Sequence, residues 1–585
     1  MSSSSRLSPR LSRRDTLKAL GAGAALAGGG ALAGRATAED APLDGARECL
    51  PFAERLAGMD YTTSERAQMI DQLDDMVEGI RARRAAYQPD NDAAPARVFD
   101  PRLRGHALPD QPDGVRLAAT PGPLPDDPAD IAFAPVHALS HWIHSGVLTS
   151  VDLTRLYLDR IDRLAGKLQC FARLTRERAL ETATERDREL AAGRDRGPLH
   201  GIPYGLKDLA DTAGIGTSWG ATPYRDRVPD EDAAIVKRLD AAGAVMLGKT
   251  TLGALAYGDL WHDGLTRNPW APEEGSSGSS AGSAAATAAG LVAFGIGTET
   301  MGSIVSPTTR CGAVGLKPSF GRVPRTGTMA LCWSLDKIGP ITRAVEDTAL
   351  VLAALNGMDA GDPGSLDHPF GYDGTSDAPL RVGFHPDWFK DATDSDRAAL
   401  AALENNPAIS LHQVTLPDLP VETLFTILEV EAAAAFEDLT LSDQDDLLRW
   451  QEKRAWPNSF RLAHFHKAVE LMQLDRMRRR LMTGMAQVMS GVDVLISPNF
   501  AANLLVISNF VGTPSLTLPV GFESRPLNAL TGQGEAQEDG KQPEKRLPHT
   551  LTLWGGVMGE NALLRASLAV ERATGLKGAR PSGFG

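Results

Sequence analysis

The residues best suited to chemistry in this chain are serines set in two turns of small residues. Gly275-Ser276-Ser277-Gly278-Ser279-Ser280-Ala281-Gly282-Ser283 opens an alanine-rich stretch, and Gly297-Thr298-Glu299-Thr300-Met301-Gly302-Ser303-Ile304 follows it. A linker rich in glycine and serine is merely flexible. These two turns instead flank one predicted helix, a pattern that brings main chain close to a bound group, because glycine tolerates the approach. A serine hydroxyl in such a turn is a weak nucleophile until a positioned base removes its proton. The pattern therefore asks for a base close by in space.

Other patterns offer other chemistry and lose on physical grounds. Gly243-Ala244-Val245-Met246-Leu247-Gly248-Lys249-Thr250 matches the phosphate-loop spacing to the letter. A phosphate loop needs small or polar residues that let its amides turn inward, whereas Ala-Val-Met-Leu is a buried-strand run. His137, His141 and His144 share one helical face at a spacing able to hold a metal. No adjacent glutamate completes a zinc-enzyme motif, so packing or surface histidines are expected. Cys49, Cys170, Cys311 and Cys332 lie far apart without a C-x-x-C pair. That excludes a cysteine zinc cage and a disulfide-dense scaffold, and leaves one bridge open. Neither a metal nor an organic cofactor is expected.

The two serine turns and the helix between them resemble the amidase signature, whose usual form is GGSSGGS, an alanine-rich helix, then GTDTGGSIR. The 24-residue interval from Ser279 to Ser303 fits that family and sets the register, so that Ser279 rather than Ser276 takes the relay position. Gly201-Ile202-Pro203-Tyr204-Gly205-Leu206-Lys207-Asp208 is similar to the family's lysine-bearing strand, and Gly243–Thr250 to another of its strands. The likeness continues through Thr266–Trp270, Gly315–Pro318, Val511–Pro514 and Leu551–Gly575, covering about 130–585 with interruptions.

The resemblance implies an amidase acting on a small-molecule amide. Ser303 would be the nucleophile, Ser279 the proton relay after a cis peptide bond, and Lys207 the base. The main-chain N–H groups of Thr300, Met301, Gly302 and Ser303 would form the oxyanion hole. Lys207 must then be neutral at working pH, which burial can bring about. Met301 replaces the usual first glycine of the turn, and Val305 replaces an arginine that could pair with Glu299 or with an anionic substrate. A non-catalytic extracellular binding protein that keeps the fold is the alternative. Family substrates range from small aliphatic and aryl amides to fatty and peptide amides. Leu260-Trp261-His262, Met301, Trp333 and aromatics at Trp450, Trp456, Phe460 and Phe465 are candidates for the pocket.

Positioning such a site takes a large α/β framework. The chain has 585 residues, 42% hydrophobic and 23% charged, the balance of a globular protein. Its 60 basic and 74 acidic residues give a formal charge of −14, which offers no field for nucleic acid. Ser12-Arg13-Arg14-Asp15-Thr16-Leu17-Lys18, an Ala/Gly/Leu run and Ala36-Thr37-Ala38 read as a twin-arginine signal cut after residue 38. The run is too short and too weakly apolar for a stable membrane span, so a periplasmic or secreted protein is expected. Residues 39–130 read as a helical extension and a Pro/Asp/Gly-rich connector, with Thr62–Glu65 capping the second helix. Residues 131–585 read as the catalytic domain, an amidase-signature fold with a large mixed central β-sheet covered by helices. Within it 421–490 read as long helices and 524–548 as a mobile surface loop. A homodimer remains open.

Overall fold

The computed structural model of the protein describes residues 46–527, 543–574 and 578–585. The predicted signal, 1–38, lies outside them. The chain divides into two compact units, Met1–Ala86 and Tyr87–Gly585. The described part of the first unit is two helices, α1 (Ala46–Leu56) and α2 (Thr63–Ala86). Thr62 caps α2 reciprocally: its N–H and hydroxyl donate to Glu65 Oε2, and the Glu65 N–H donates to Thr62 Oγ1.

In the second unit the polar connector is stitched onto the framework. Phe99 meets Phe320 edge to face at 5.0 Å, and the Ala118 and Ala119 N–H groups donate to the Glu346 carboxylate. The helical pair after it is α3 (Val136–His144) and α4 (Ser150–Leu168). Thr149 caps α4, and Leu153, Tyr157 and Ile161 recur at helical spacing to bury one face. The α3 histidines part company: His137 turns to Asp347 at 2.8 Å and His144 to Asp195 at 3.0 Å.

Among the described residues the core is an eleven-stranded mixed sheet. Its strands are β1 (Phe171–Leu174), β2 (Pro203–Lys207), β3 (Val245–Thr250), β4 (Phe294–Glu299), β5 (Val314–Lys317), β6 (Lys337–Thr342), β7 (Leu380–Phe384), β8 (Ile409–Gln413), β9 (Val494–Pro498), β10 (Ser515–Pro526) and β11 (Glu544–Gly555). Across the sheet the order is β8-β7-β9-β11-β10-β5-β6-β4-β2-β3-β1. The stretch that spells a phosphate loop is β3, buried along its whole length. Its Lys249 donates to the Ala210 carbonyl and to Thr217, 3.6 Å from Asp208.

Strand direction gathers the functional residues. β2 and β4 are parallel, while β6 runs against both β4 and β5. The ends of β2, β4 and β5 and the start of β6 therefore share one end of the sheet. That places Lys207, Glu299, Lys317 and Lys337 together, with Lys337 directly opposite Glu299.

Two expectations need correction. Residues 421–490 are mostly short helices: α7 (Phe425–Ala435), α8 (Trp456–Ala463) and only one long one, α9 (Ala468–Gly491). Pro457 sits in the first turn of α8, where its missing N–H costs nothing, so the helix starts afresh there. The ends of the 524–548 stretch are hairpin rather than loop. Ser524 pairs with Arg546 and Arg525 with Lys545, and Arg525 and Lys545 are held by Glu274 and Glu273. Residues 528–542 lie outside the described residues.

Candidate active site

Lys207 ends β2 with its side chain buried, and its Nζ lies within hydrogen-bond reach of three hydroxyls: Ser279 at 2.8 Å, Thr298 at 2.8 Å and Ser280 at 3.1 Å. Burial drives its pKa well below the ordinary lysine value, against the smaller opposing pull of Asp336 and then Glu299. Thr298 comes from the neighbouring strand β4, and the two serines stand just before α5 (Ala281–Ala288), the alanine-rich helix between the two serine turns. Every residue of α5 is buried, and its small side chains let it settle directly on β4. A Cβ on Gly297 would meet Ser280 Oγ at 2.7 Å, and one on Gly282 would meet the Cys170 carbonyl oxygen at 2.3 Å. With glycine there, Ser280 Oγ accepts from the Thr298 N–H and donates to the Thr298 carbonyl, both at 3.0 Å.

The first serine turn runs against main chain on its other side. A Cβ on Gly278 would lie 1.8 Å from the Gly258 carbonyl oxygen, so only glycine fits. The Gly278–Ser279 peptide is cis. Asp259 anchors the turn by accepting from the Ser277 N–H at 2.8 Å.

The second turn joins β4 to α6 (Val305–Cys311). Glu299 Oε2 accepts from the Ile304 and Val305 N–H groups at 2.8 and 3.0 Å, and Oε1 accepts from Asn509 Nδ2 at 2.8 Å. Asn509 lies on α10 (Leu504–Val511). Glu299 thus spends its charge on the start of α6 and on an amide, where the family's usual pattern has an acid and an arginine. Thr300 Oγ1 donates to Asp336 at 2.6 Å, and Gly302 takes φ +84, the left-handed region that glycine favours. Between these anchors stand four successive N–H groups, those of Thr300, Met301, Gly302 and Ser303. Among the described residues none of the four has a hydrogen-bond acceptor. Ser303 is buried to 7% exposure, and its carbonyl accepts from the Ser280 N–H at 3.1 Å, tying the two serine turns together.

The three residues singled out for catalysis therefore converge, with Lys207 and Ser279 in direct contact and Ser303 held against Ser280. Sequence reasoning passed over Thr298 and Ser280, although each stands inside a quoted motif. Asn509 lies 210 residues from Glu299, and nothing local marks it. Lys317 and Lys337 were also unremarked. Burial lowers Lys317 to about 8 and pushes Lys337 well below its usual range.

A cavity of about 110 Å³ opens beside the cluster, lined by Thr298, Thr300, Trp333 and Lys337 among others. Leu260, Trp261 and His262 do not line it. Trp456 and Phe460 stack at 5.0 Å in the core, Trp450 packs on Tyr257, and Phe465 is exposed. Met301 is half-buried against the apolar cluster that includes Leu504.

Comparison with known proteins gives the family. The profile of the Amidase family matches residues 152–564. The chain is 33% identical over 458 residues to a putative amidase, AmiD, of Mycobacterium tuberculosis, covering 75% of this chain and 94% of that one. It is 32% identical over 509 residues to a glutamyl-tRNA(Gln) amidotransferase component of Moorella thermoacetica, covering 77% and 99%. Among solved structures, the peptide amidase of Stenotrophomonas maltophilia superposes with a TM-score of 0.65 at 32% identity, over 77% of this chain and 98% of that one. The chain belongs to the amidase family, with the amidase signature, and is an amide-hydrolysing enzyme.

Proposed function

We propose that the enzyme cleaves a carboxylic amide through an acyl-enzyme on Ser303, with Ser279 as proton relay and Lys207 as base. The observation that carries this is the hydrogen-bond count at Lys207 Nζ. A neutral amine has two N–H donors and one lone pair, yet three hydroxyls surround it. The Ser280 proton is committed to the Thr298 carbonyl. Ser279 and Thr298 have no such commitment among the described residues, and of the two Ser279 belongs to the turn that is tied to Ser303 through the Ser280 N–H, so its hydroxyl is the one that turns its proton to the lone pair in this reading. Ser279 in turn takes the Ser303 proton as Ser303 Oγ attacks the amide carbon. The carbonyl oxygen gains its charge within reach of the unengaged N–H groups of Thr300, Met301, Gly302 and Ser303. Collapse expels the amine, which leaves with the proton returned through Ser279. Water then attacks the acyl-enzyme by the same path in reverse, releasing the acid and freeing Ser303.

The same reading places the mature enzyme outside the cytoplasm, delivered by the twin-arginine segment. Export and a formal charge of −14 both speak against a tRNA-linked role like the one in the name of the Moorella relative.

Intact-mass labelling with a fluorophosphonate tests the proposal. One adduct is expected on the native protein and none on Ser303→Ala, which should also lose amide hydrolysis while melting normally. Lys207→Ala and Ser279→Ala should each slow acylation by about 10²-fold or more. A folded native protein that takes no adduct would overturn the acyl-enzyme on Ser303.

A further inference from the structure

The small cavity beside the catalytic hydroxyls has a cover that comes from outside the matched family span. Residues 89–95 precede residue 152, where the family match begins, yet Asp92 and Ala94 line the cavity. The segment is pinned there by one side chain. Asn91 Oδ1 accepts from the Ala330 N–H at 2.8 Å, and Asn91 Nδ2 donates to the Ala330 and Ala435 carbonyls at 2.9 and 3.1 Å. A turn closed by the Ala93 N–H and the Asp90 carbonyl at 3.0 Å sets the shape around it. One amide thus fastens the segment to two separate parts of the unit.

The side of the reaction that faces this cavity follows from the proton path. The departing nitrogen must be protonated through Ser279, so it lies on the Lys207 side of the scissile bond. Thr298, which accepts from Lys207, and Thr300 both line the cavity. The remaining wall is mixed, with apolar Leu209, Ala256, Met329, Leu331, Trp333 and Ile338 beside the charged Arg325, Asp336, Lys337 and Asp362. At about 110 Å³ it is smaller than the roughly 150 Å³ that admits a benzene ring. On the far side of the cover lies a larger space of about 440 Å³, which shares Asp92, Gly327, Thr328 and Met329 with it.

We propose that residues 89–95, held by Asn91, are a specificity-determining cover that limits the leaving amine to ammonia or a short alkylamine. The substrates are then primary and short N-alkyl amides. Asn91 is a positioning residue and touches no reacting atom. The inference rests on the acyl-enzyme reading, because it uses the direction of proton delivery.

The test uses the full chain and amides of one acyl group whose amine grows from ammonia through methylamine and propylamine to benzylamine. The native enzyme should lose at least 100-fold in kcat/KM from the primary to the benzyl amide. Asn91→Ala, which unpins the cover, should shrink that ratio at least tenfold, mainly through KM for the larger amides. Ala94→Trp, which adds bulk over the cavity from an exposed position, should enlarge the ratio. A loosened fold would not move the two variants in opposite directions. Fluorophosphonate labelling of Ser303 should proceed at the native rate in both. Ser303-dependent hydrolysis with a ratio that neither variant shifts would overturn the cover and leave the acyl-enzyme standing. Hydrolysis that survives Ser303→Ala would overturn the acyl-enzyme reading itself.

Discussion

The Glu299 carboxylate is buried and divides its oxygens between two elements, the start of α6 and Asn509 on α10. What it holds is the turn that carries Ser303 and the four unengaged N–H groups. Removing the carboxylate leaves the Ile304 and Val305 donors in a dry site, at about 1–3 kcal/mol for each group left unpaired. Glu299→Leu should therefore lower the urea midpoint and slow fluorophosphonate labelling of Ser303 at least tenfold. Glu299→Gln should do much less, because its amide oxygen can still accept from both N–H groups. Asn509 can then rotate to offer Oδ1, which is buried without a partner among the described residues. Equal labelling rates for the two variants would mean that Glu299 stabilises the chain without positioning the turn.

At the scale of elements, the site depends on how closely α5 approaches β4. That distance is set by what is missing: side chains on α5 larger than alanine or threonine, and any side chain at Gly295 and Gly297. A Cβ at position 297 would meet Ser280 Oγ at 2.7 Å and Ser280 Cβ at 2.9 Å, whereas one at 295 would meet Ser283 at 2.9–3.0 Å. Gly297→Val must push Ser280 away from Thr298 and from Lys207. The expected cost is about 1–3 kcal/mol from overpacking, with acylation down at least 100-fold. Gly295→Ala should cost less and keep most of the activity, since it presses on the helix one turn from Ser279. Urea denaturation and the labelling rate measure both. The alanine run and its flanking glycines are local patterns, and so the helix and both serine turns were legible in the sequence, whereas the lysine strand was legible only through the family resemblance. The breaks between 421 and 490 were not, because scattered aromatics such as Trp456 and Phe460 fit a long helix as well as a short buried one. The 524–526 and 544–548 strand ends were hidden for a related reason. Their pairing is sustained by Glu273 and Glu274, some 250 residues away, rather than by apolar alternation. The connector 89–130 looked like spacer because its anchors, Asn91 and Phe99, bind main chain and rings that no sequence pattern announces.

The whole molecule keeps an unusual number of lysines in its interior, and this sets how its stability responds to pH. Lys207, Lys249, Lys317 and Lys337 are all buried, and burial lowers each below the ordinary lysine value, Lys317 to about 8. Lys317 suits the neutral form, with two N–H donors for the Ser508 hydroxyl and the Thr513 carbonyl. In the unfolded chain these amines hold their protons up to about pH 10.5. Between the folded and unfolded values the unfolded state therefore binds more protons, and stability rises with pH. For Lys317 that window runs from about 8 to 10.5, with a slope of about 1.4 kcal/mol per pH unit in the ideal case. The buried thiols oppose it from higher pH. Cys170 is pushed up to about 12 by burial, and Cys311 and Cys332 are raised as well. Above about pH 9 the unfolded thiols ionise while the folded ones stay protonated, which subtracts from the gain that the lysines give up to about pH 10.5. The unfolding free energy from urea titrations should therefore climb from pH 7 to about pH 9 and rise less steeply above it, where the thiols oppose the amines. Lys317→Met should flatten the climb between pH 8 and 9 by about 1 kcal/mol per pH unit, leaving the opposing effect of the thiols above pH 9 in place. A climb as steep in Lys317→Met as in the native protein would show that Lys317 keeps its charge in the folded state.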